Sequence, residues 1–231
     1  MIKGFRGTSL VDYPGLISAV VFFGGCNFRC PFCYNIDLVQ ADRLKKLPDF
    51  SEEYVLKELL KRQGFIQGLV ITGGEPTLYP RLLQHLLEMV RTETQLKIKL
   101  DTNGSHPEVV ARLWDLGLVD YVALDFKTSP ERYPELGGRW EPVAQTISIL
   151  VEKGIPHEMR LTMVPYFIGR KDLRAMAPWL KRASRVVLQR FLDHVERLRP
   201  DMELGLYGPD ELKDLKSFVE QETAGEVLLR V

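Results

Sequence analysis

Three cysteines, Cys26, Cys30 and Cys33, fall within eight residues in the run Gly24-Gly-Cys26-Asn-Phe-Arg-Cys30-Pro-Phe-Cys33-Tyr-Asn35. The chain has no others. An odd count so tightly clustered is a poor disulfide framework and a good metal framework. Glycine and proline favour a turn here over a helix, and a tight loop can aim three thiols at one point. Three readings follow. Structural cysteines seldom cluster in a glycine-flanked turn. Structural zinc wants four ligands, usually as two pairs, and the four histidines, His85, His106, His157 and His194, are scattered. An iron–sulfur cubane is held by thiolates, normally four. Three thiolates leave one iron with an open position, where a substrate or cofactor can bind.

Other reactive residues follow apolar runs. Ile71-Thr-Gly-Gly-Glu-Pro-Thr77 ends the second run, Asp101-Thr-Asn-Gly104 the third and Asp125-Phe-Lys127 the fourth. Taken singly, each is an ordinary turn or helix-cap cluster. Arg160, with Val164-Pro165 after it, lies in the fifth run, and a surface ion pair would explain it equally well. Gln189 lies near the end of the sixth.

These residues need strands to hold them. Apolar, β-branched runs occur at 16–23, 69–72, 96–101, 119–125, 158–164, 186–191 and 226–231. Helical spacing fills most gaps, at 51–63, 79–91, 106–116, 141–153, 171–181 and 209–221. Such alternation predicts βα units around a parallel sheet. Ser105-His-Pro-Glu108 reads as a capping box with proline in the first turn. Gly117 and Gly154 read as helix stops, and Gly208-Pro209 as the start of the last helix. About six βα units can form either an open doubly wound sheet or a barrel, and pattern alone does not choose; a complete eight-fold barrel takes roughly 250 residues, so a partial barrel fits better. The expectation is an α/β fold, a partial (β/α)6-type TIM barrel with a mostly parallel sheet, in a single domain over residues 1–231. In such folds the chemistry lies at the C-terminal ends of the strands.

Composition narrows the function classes. Lys plus Arg and Asp plus Glu both number 31, so no net charge argues for a nucleic acid or an anionic membrane as partner. No run reaches the ~20 apolar residues that span a bilayer, and the N-terminus has no signal-peptide pattern. The expected location is the cytoplasm, where thiols stay reduced.

The Cys-x-x-x-Cys-x-x-Cys spacing, with the aromatic Phe32 before the last cysteine, resembles the radical S-adenosylmethionine (radical SAM) superfamily. The resemblance implies a [4Fe-4S] cluster on Cys26, Cys30 and Cys33, with SAM on the open iron. Gly73, Gly74 and Glu75 resemble the superfamily's Gly-Gly-Glu segment, which binds the SAM amino group. The Asp101-Thr102 and Asp125-x-Lys127 segments resemble a narrower group, the glycyl-radical-enzyme activases, where they surround the methionyl carboxylate and ribose. There Lys127 would pair with the carboxylate, and Asp101, Thr102 and Asp125 would offer oxygens to a monovalent cation. Arg160 resembles the arginine of an Arg-x-x-x-Val-Pro stretch in the same group, and Gln189 would reach the adenosine. Tyr34 stands where the activases commonly have histidine and would pack on adenine. The stretch Gly7-Thr-Ser-Leu-Val-Asp-Tyr-Pro-Gly15 resembles the Asp-x-Pro-Gly opening of these activases.

The implied activity is reductive cleavage of SAM to methionine and a 5′-deoxyadenosyl radical, with a flavodoxin- or ferredoxin-type electron donor. The radical would take hydrogen from a glycine of a glycyl radical enzyme, anaerobic ribonucleoside-triphosphate reductase by the resemblance. Pyruvate formate-lyase-type activation, or action on a small molecule such as a deazapurine precursor, is the alternative. A non-catalytic iron–sulfur scaffold is a rival of another class. A partner should dock over the strand-end loops, where residues 128–140 read as a solvated loop.

Overall fold

The computed structural model describes residues 1–223 and 225–230. Its strands are β1 (Ile2–Tyr13), β2 (Leu16–Phe23), β3 (Gly68–Gly73), β4 (Lys97–Thr102), β5 (Tyr121–Asp125), β6 (His157–Met163), β7 (Arg185–Arg190) and β8 (Glu226–Arg230). Its helices are α1 (Ile36–Val39), α2 (Ala41–Leu44), α3 (Glu52–Leu60), α4 (Pro80–Glu93), α5 (Pro107–Asp115), α6 (Trp140–Glu152), α7 (Arg170–Leu180) and α8 (Pro209–Glu222). Two 3-10 segments, Pro76–Leu78 and Pro130–Leu136, complete them. Among the described residues strand order follows chain order, with β1 and β8 as the edges, so the sheet is not closed. That is the expected α/β fold with a mostly parallel sheet. The expected run 226–231 is β8, and Val231 lies outside the described residues. No helix among the described residues is long and apolar enough to cross a membrane.

The chain forms two compact units. The first comprises residues 1–27, 37–102 and 106–122; the second comprises residues 28–36, 103–105 and 123–231. The cysteine run is divided, with Cys26 in the first and Cys30 and Cys33 in the second.

In the first unit β2, β3 and β4 pair in parallel. Ser18 to Val21 and Leu69 to Ile71 are wholly buried. Continuous burial, rather than alternation, is what helices on one face and a filled interior on the other produce. β1 is absent from the sequence reading. It pairs antiparallel to β2 with register shifts, and Leu10 and Val11 are exposed on it. An irregular edge strand with two glycines leaves no clean period to read. The motif-like Asp12-Tyr-Pro-Gly15 is its hairpin turn: Tyr13 faces Leu16 across Pro14 and Gly15, and Gly15 has φ +76°.

In the second unit β6, β7 and β8 pair in parallel. Gly117 in the first unit and Gly154 here follow their helices with positive φ, and Gly208 caps α8 before Pro209, as expected. The Ser105 capping box is not formed. The N-cap of α5 is His106, which makes no side-chain cap bond, and Pro107 opens the helix. The Ser105 N–H is instead satisfied by Asn103 Oδ1 at 2.9 Å, a local turn that competes with the cap.

Residues 128–140 are not a solvated loop. Thr128, Ser129, Tyr133 and Leu136 are all fully buried. Thr128 donates to the Phe167 carbonyl, and Ser129 to Asp172. Two prolines and a three-residue period hide this segment from a search at 3.6.

Candidate functional site

Cys26 follows β2 by way of Gly24 and Gly25. The N–H of Gly25 donates to the Leu38 carbonyl at 2.7 Å. The Gly25 carbonyl accepts from Glu75 N–H, and the Phe23 carbonyl from Gly74 N–H, both at 2.8 Å. This splices the end of β3 to the start of the cysteine run. It also explains the glycine pair. A Cβ on Gly74 would stand 1.9 Å from the Gly25 carbonyl oxygen, and one on Gly73, whose φ is +123°, would stand 2.3 Å from the Phe23 carbonyl oxygen. The close approach these glycines allow is to the chain's own backbone.

Glu75 is fully buried. Three donors converge on its Oε1: Thr77 N–H at 3.1 Å, Thr77 Oγ1 at 2.5 Å and Thr102 Oγ1 at 2.8 Å. It caps the 3-10 segment Pro76–Leu78. Multiple donors offset the burial of a carboxylate, and they fix this one in a single orientation.

Asp101 and Thr102 end β4. The Thr102 hydroxyl serves Glu75. Asp101 is 8% exposed, and its Oδ1 lies 2.5 Å from Nζ of Lys99, itself 1% exposed. By sequence Lys99 is one residue of the apolar run 96–101. A lysine two residues before an aspartate, inside an otherwise apolar run, was the signal that could have singled it out.

In the second unit the Cys33 N–H donates to the Cys30 carbonyl at 3.0 Å. This closes a four-residue turn with Pro31 at its second position, which proline's fixed φ suits. Three more backbone bonds pin the run. Arg29 N–H donates to Leu136, Leu198 N–H to Cys33 and Arg199 N–H to Pro31, at 2.7, 3.1 and 3.1 Å. No residue type marks these braces, so the sequence reading had no means to find them. Phe32 is buried, its ring 5.3 Å from that of Phe167. Tyr34 stacks on Phe191 at 5.8 Å, and its hydroxyl donates to the Leu192 carbonyl at 2.9 Å. Burial, with Asp125 adding to it, holds the Cys33 thiol above its ordinary pKa, and Lys127, the Asn35 backbone and Arg29 only partly oppose this.

Asp125 ends β5 between two cations. Arg160 reaches its Oδ1 through Nη2 at 2.8 Å, and Lys127 reaches Oδ2 at 3.1 Å. Burial alone would raise its pKa, but Arg160 and then Lys127 hold it down at about 2. The folded value therefore lies below the ordinary 3.8. The resulting stabilisation is complete above about pH 4 and is lost as pH falls through about 2, a swing of roughly 2 kcal/mol. Between pH 4 and pH 2, the thermal stability of the wild type is expected to fall more steeply than that of Asp125→Asn. Parallel slopes in thermal unfolding would contradict this. Gln189 is half-buried on β7, opposite Thr162 of β6.

Among the described residues, no three His, Cys, Asp or Glu side chains form a group that could hold one metal ion. A cubane does not require such a group, because each thiolate binds its own iron. The donor set fits one: all three cysteines are thiols rather than disulfides, and the run is braced by backbone bonds.

The model of the radical SAM superfamily matches residues 20–177. A protein of Methanocaldococcus jannaschii, named as a glycyl-radical enzyme activating enzyme, is 30% identical over 83% of this chain and 80% of its own. The pyruvate formate-lyase-activating enzyme of Clostridium pasteurianum is 33% identical over 80% of this chain and 78% of its own. Streptococcus suis SuiB bound to S-adenosylmethionine superposes with a TM-score of 0.68 at 14% identity. That superposition covers 92% of this chain, which spans about half of SuiB (52%), and it speaks to the fold alone.

Proposed function

The chain belongs to the radical SAM superfamily, and on that premise we propose that it activates a glycyl radical enzyme, anaerobic ribonucleoside-triphosphate reductase in the first instance. When bound, the [4Fe-4S] cluster supplies the electron that splits SAM into methionine and a 5′-deoxyadenosyl radical. Cys26, Cys30 and Cys33 hold it. The observation that carries the reading is positional. The cysteine run follows the end of β2, and Gly73, Thr102 and Asp125 are the last residues of β3, β4 and β5. Those are the strand ends where parallel α/β folds do chemistry.

The chain's own residues bind and orient. Glu75 is a fixed carboxylate suited to an ammonium. Asp125 stays ionised between Lys127 and Arg160, which keeps both cations in place for a carboxylate ligand. Tyr34 and Phe191 make an aromatic pair suited to a purine. The buried Phe32 and Phe167 exclude water, which matters for a radical. The Asp-Thr-Asn-Gly and Asp-x-Lys segments favour the activase over a small-molecule enzyme, and the reductase as its target rests on the overall resemblance of the sequence. The electron donor is of flavodoxin or ferredoxin type.

The test reconstitutes the protein with iron and sulfide without oxygen, reduces it and adds SAM. 5′-Deoxyadenosine is expected, and its absence would sink the enzymatic reading. Anaerobic ribonucleotide reductase is then added, and electron spin resonance should detect a glycyl radical. A radical only on pyruvate formate-lyase moves the target. Turnover of a deazapurine precursor without any protein partner favours the small-molecule reading.

A further inference from the structure

Asp101 is a buried carboxylate and needs a positive partner. Charged groups are almost never buried unless paired. A metal cation coordinated by Asp101, Thr102 and Asp125 is one solution, but the structure contains another. Lys99 and Asp101 are two residues apart on β4, so both side chains leave the same face of the sheet. Lys99 lies opposite Val70 of β3, and Val70 opposite Val20 of β2. Both valines are fully buried and pack with Tyr13. The Lys99 ammonium is thus carried past an apolar layer to reach Asp101, at 2.5 Å. A charge so placed must be matched where it ends, because the surrounding side chains cannot solvate it.

The other expected ligands have partners as well. The Thr102 hydroxyl donates to Glu75 at 2.8 Å. Asp125 has Arg160 and Lys127 on its two oxygens. Each expected carboxylate ligand of a monovalent cation already has a side-chain cation of its own. The residues do not fit the metal.

We propose that Lys99 is a positioning residue that supplies to Asp101 the positive charge a monovalent metal ion would supply, so that this protein binds SAM without Na+ or K+. The part concerning SAM rests on the enzymatic reading above; the part concerning Asp101 does not. An ammonium on a strand is fixed by the fold, whereas an ion equilibrates with solvent. SAM binding here should therefore be indifferent to the identity of the salt.

The experiment compares KCl, NaCl and choline chloride at equal ionic strength. SAM is titrated into the reconstituted protein, and thermal unfolding is followed on the same protein with no SAM. For the wild type, the SAM Kd should agree within about twofold across the salts, and Tm should show no saturable rise with K+ or Na+ concentration, which is the mark of an ion bound to the folded state. Lys99→Met should bind SAM at least about tenfold more weakly in choline chloride, regain affinity in KCl or NaCl, and show a Tm raised saturably by one of those cations. Lys99→Arg should behave as the wild type. Wild-type SAM binding that tightens fivefold or more in KCl or NaCl, or a wild-type Tm raised saturably by either cation, would overturn the proposal. So would a folded Lys99→Met protein indistinguishable from wild type in all salts. If Lys99→Met does not fold, the wild-type comparison decides alone. If SAM binds in no salt, the enzymatic reading fails, and the unfolding comparison still decides whether Asp101 takes a metal ion.

Discussion

Cys30→Ala is expected to take 5′-deoxyadenosine formation to background, a fall of at least about 100-fold, since even changes outside the ligand set cost 10- to 100-fold in metal sites. The structure makes this substitution informative, because the backbone bond and turn at Cys30 do not need its thiol. Its carbonyl accepts from Cys33 N–H, and Pro31 sets the turn. Alanine keeps both. The loss is one buried thiol, which should cost the apo protein no more than about 1 kcal/mol, as ordinary substitutions do. Two readouts separate the effects. Iron and sulfide content with visible absorbance reports cluster retention, and thermal unfolding of the apo protein reports the fold. Cluster loss with an almost unchanged apo transition is the expected pair. Wild-type levels of 5′-deoxyadenosine from Cys30→Ala would remove this cysteine from the cluster.

Gly74→Ala is expected to be the most damaging single methyl in the chain's first unit. The added Cβ would lie 1.9 Å from the Gly25 carbonyl oxygen and 2.6 Å from its carbon. Both are backbone atoms, so no rotamer change relieves the clash. The hydrogen bonds from Gly74 to Phe23 and from Glu75 to Gly25 would have to open together. A loss of about 4 kcal/mol or more is expected, in the range that marks a named structural failure rather than a surface effect. Gly64→Ala is the control. Gly64 has φ +85° with nothing within 4 Å of its Cβ, so only the left-handed conformation is penalised, at about 1–2 kcal/mol. Urea or thermal unfolding of the two variants checks the ranking. Gly74→Ala as stable as Gly64→Ala would mean that the splice between β3 and the cysteine run yields easily. Because that splice leads into Cys26, Gly74→Ala should also retain less iron on reconstitution.

The parallel strands and their helices were legible because their signals are local. Burial on both faces writes a continuous apolar run such as Leu69 to Thr72, and a helix writes its own caps, as Gly208-Pro209 does before α8. The motif residues were legible for the same reason: three cysteines, a Gly-Gly-Glu and an Asp-x-Lys are compact in sequence. β1 was not, because an edge strand with bulges and an exposed Leu10-Val11 tip has no period. Nor was the stretch leading into Pro130–Leu136, whose buried Thr128 and Ser129 find their partners in Phe167 and Asp172, 39 and 43 residues later.

By itself the sequence determined which groups could do chemistry here: three thiols, the carboxylates of Glu75, Asp101 and Asp125, and the cation of Lys127. Residue type and short spacing suffice for that, since they set the available donors and acceptors. Only the tertiary structure decided what each group does within the chain. Hydrogen bonds and buried charges pair across long separations, and no local pattern records the partner. Glu75 was a ligand candidate and is also the acceptor that fixes Thr77 and Thr102. Gly74 belonged to a ligand-binding motif and is also the space that Gly25 needs. Asp101 was a place for a cation, and in the folded chain Lys99 already stands there.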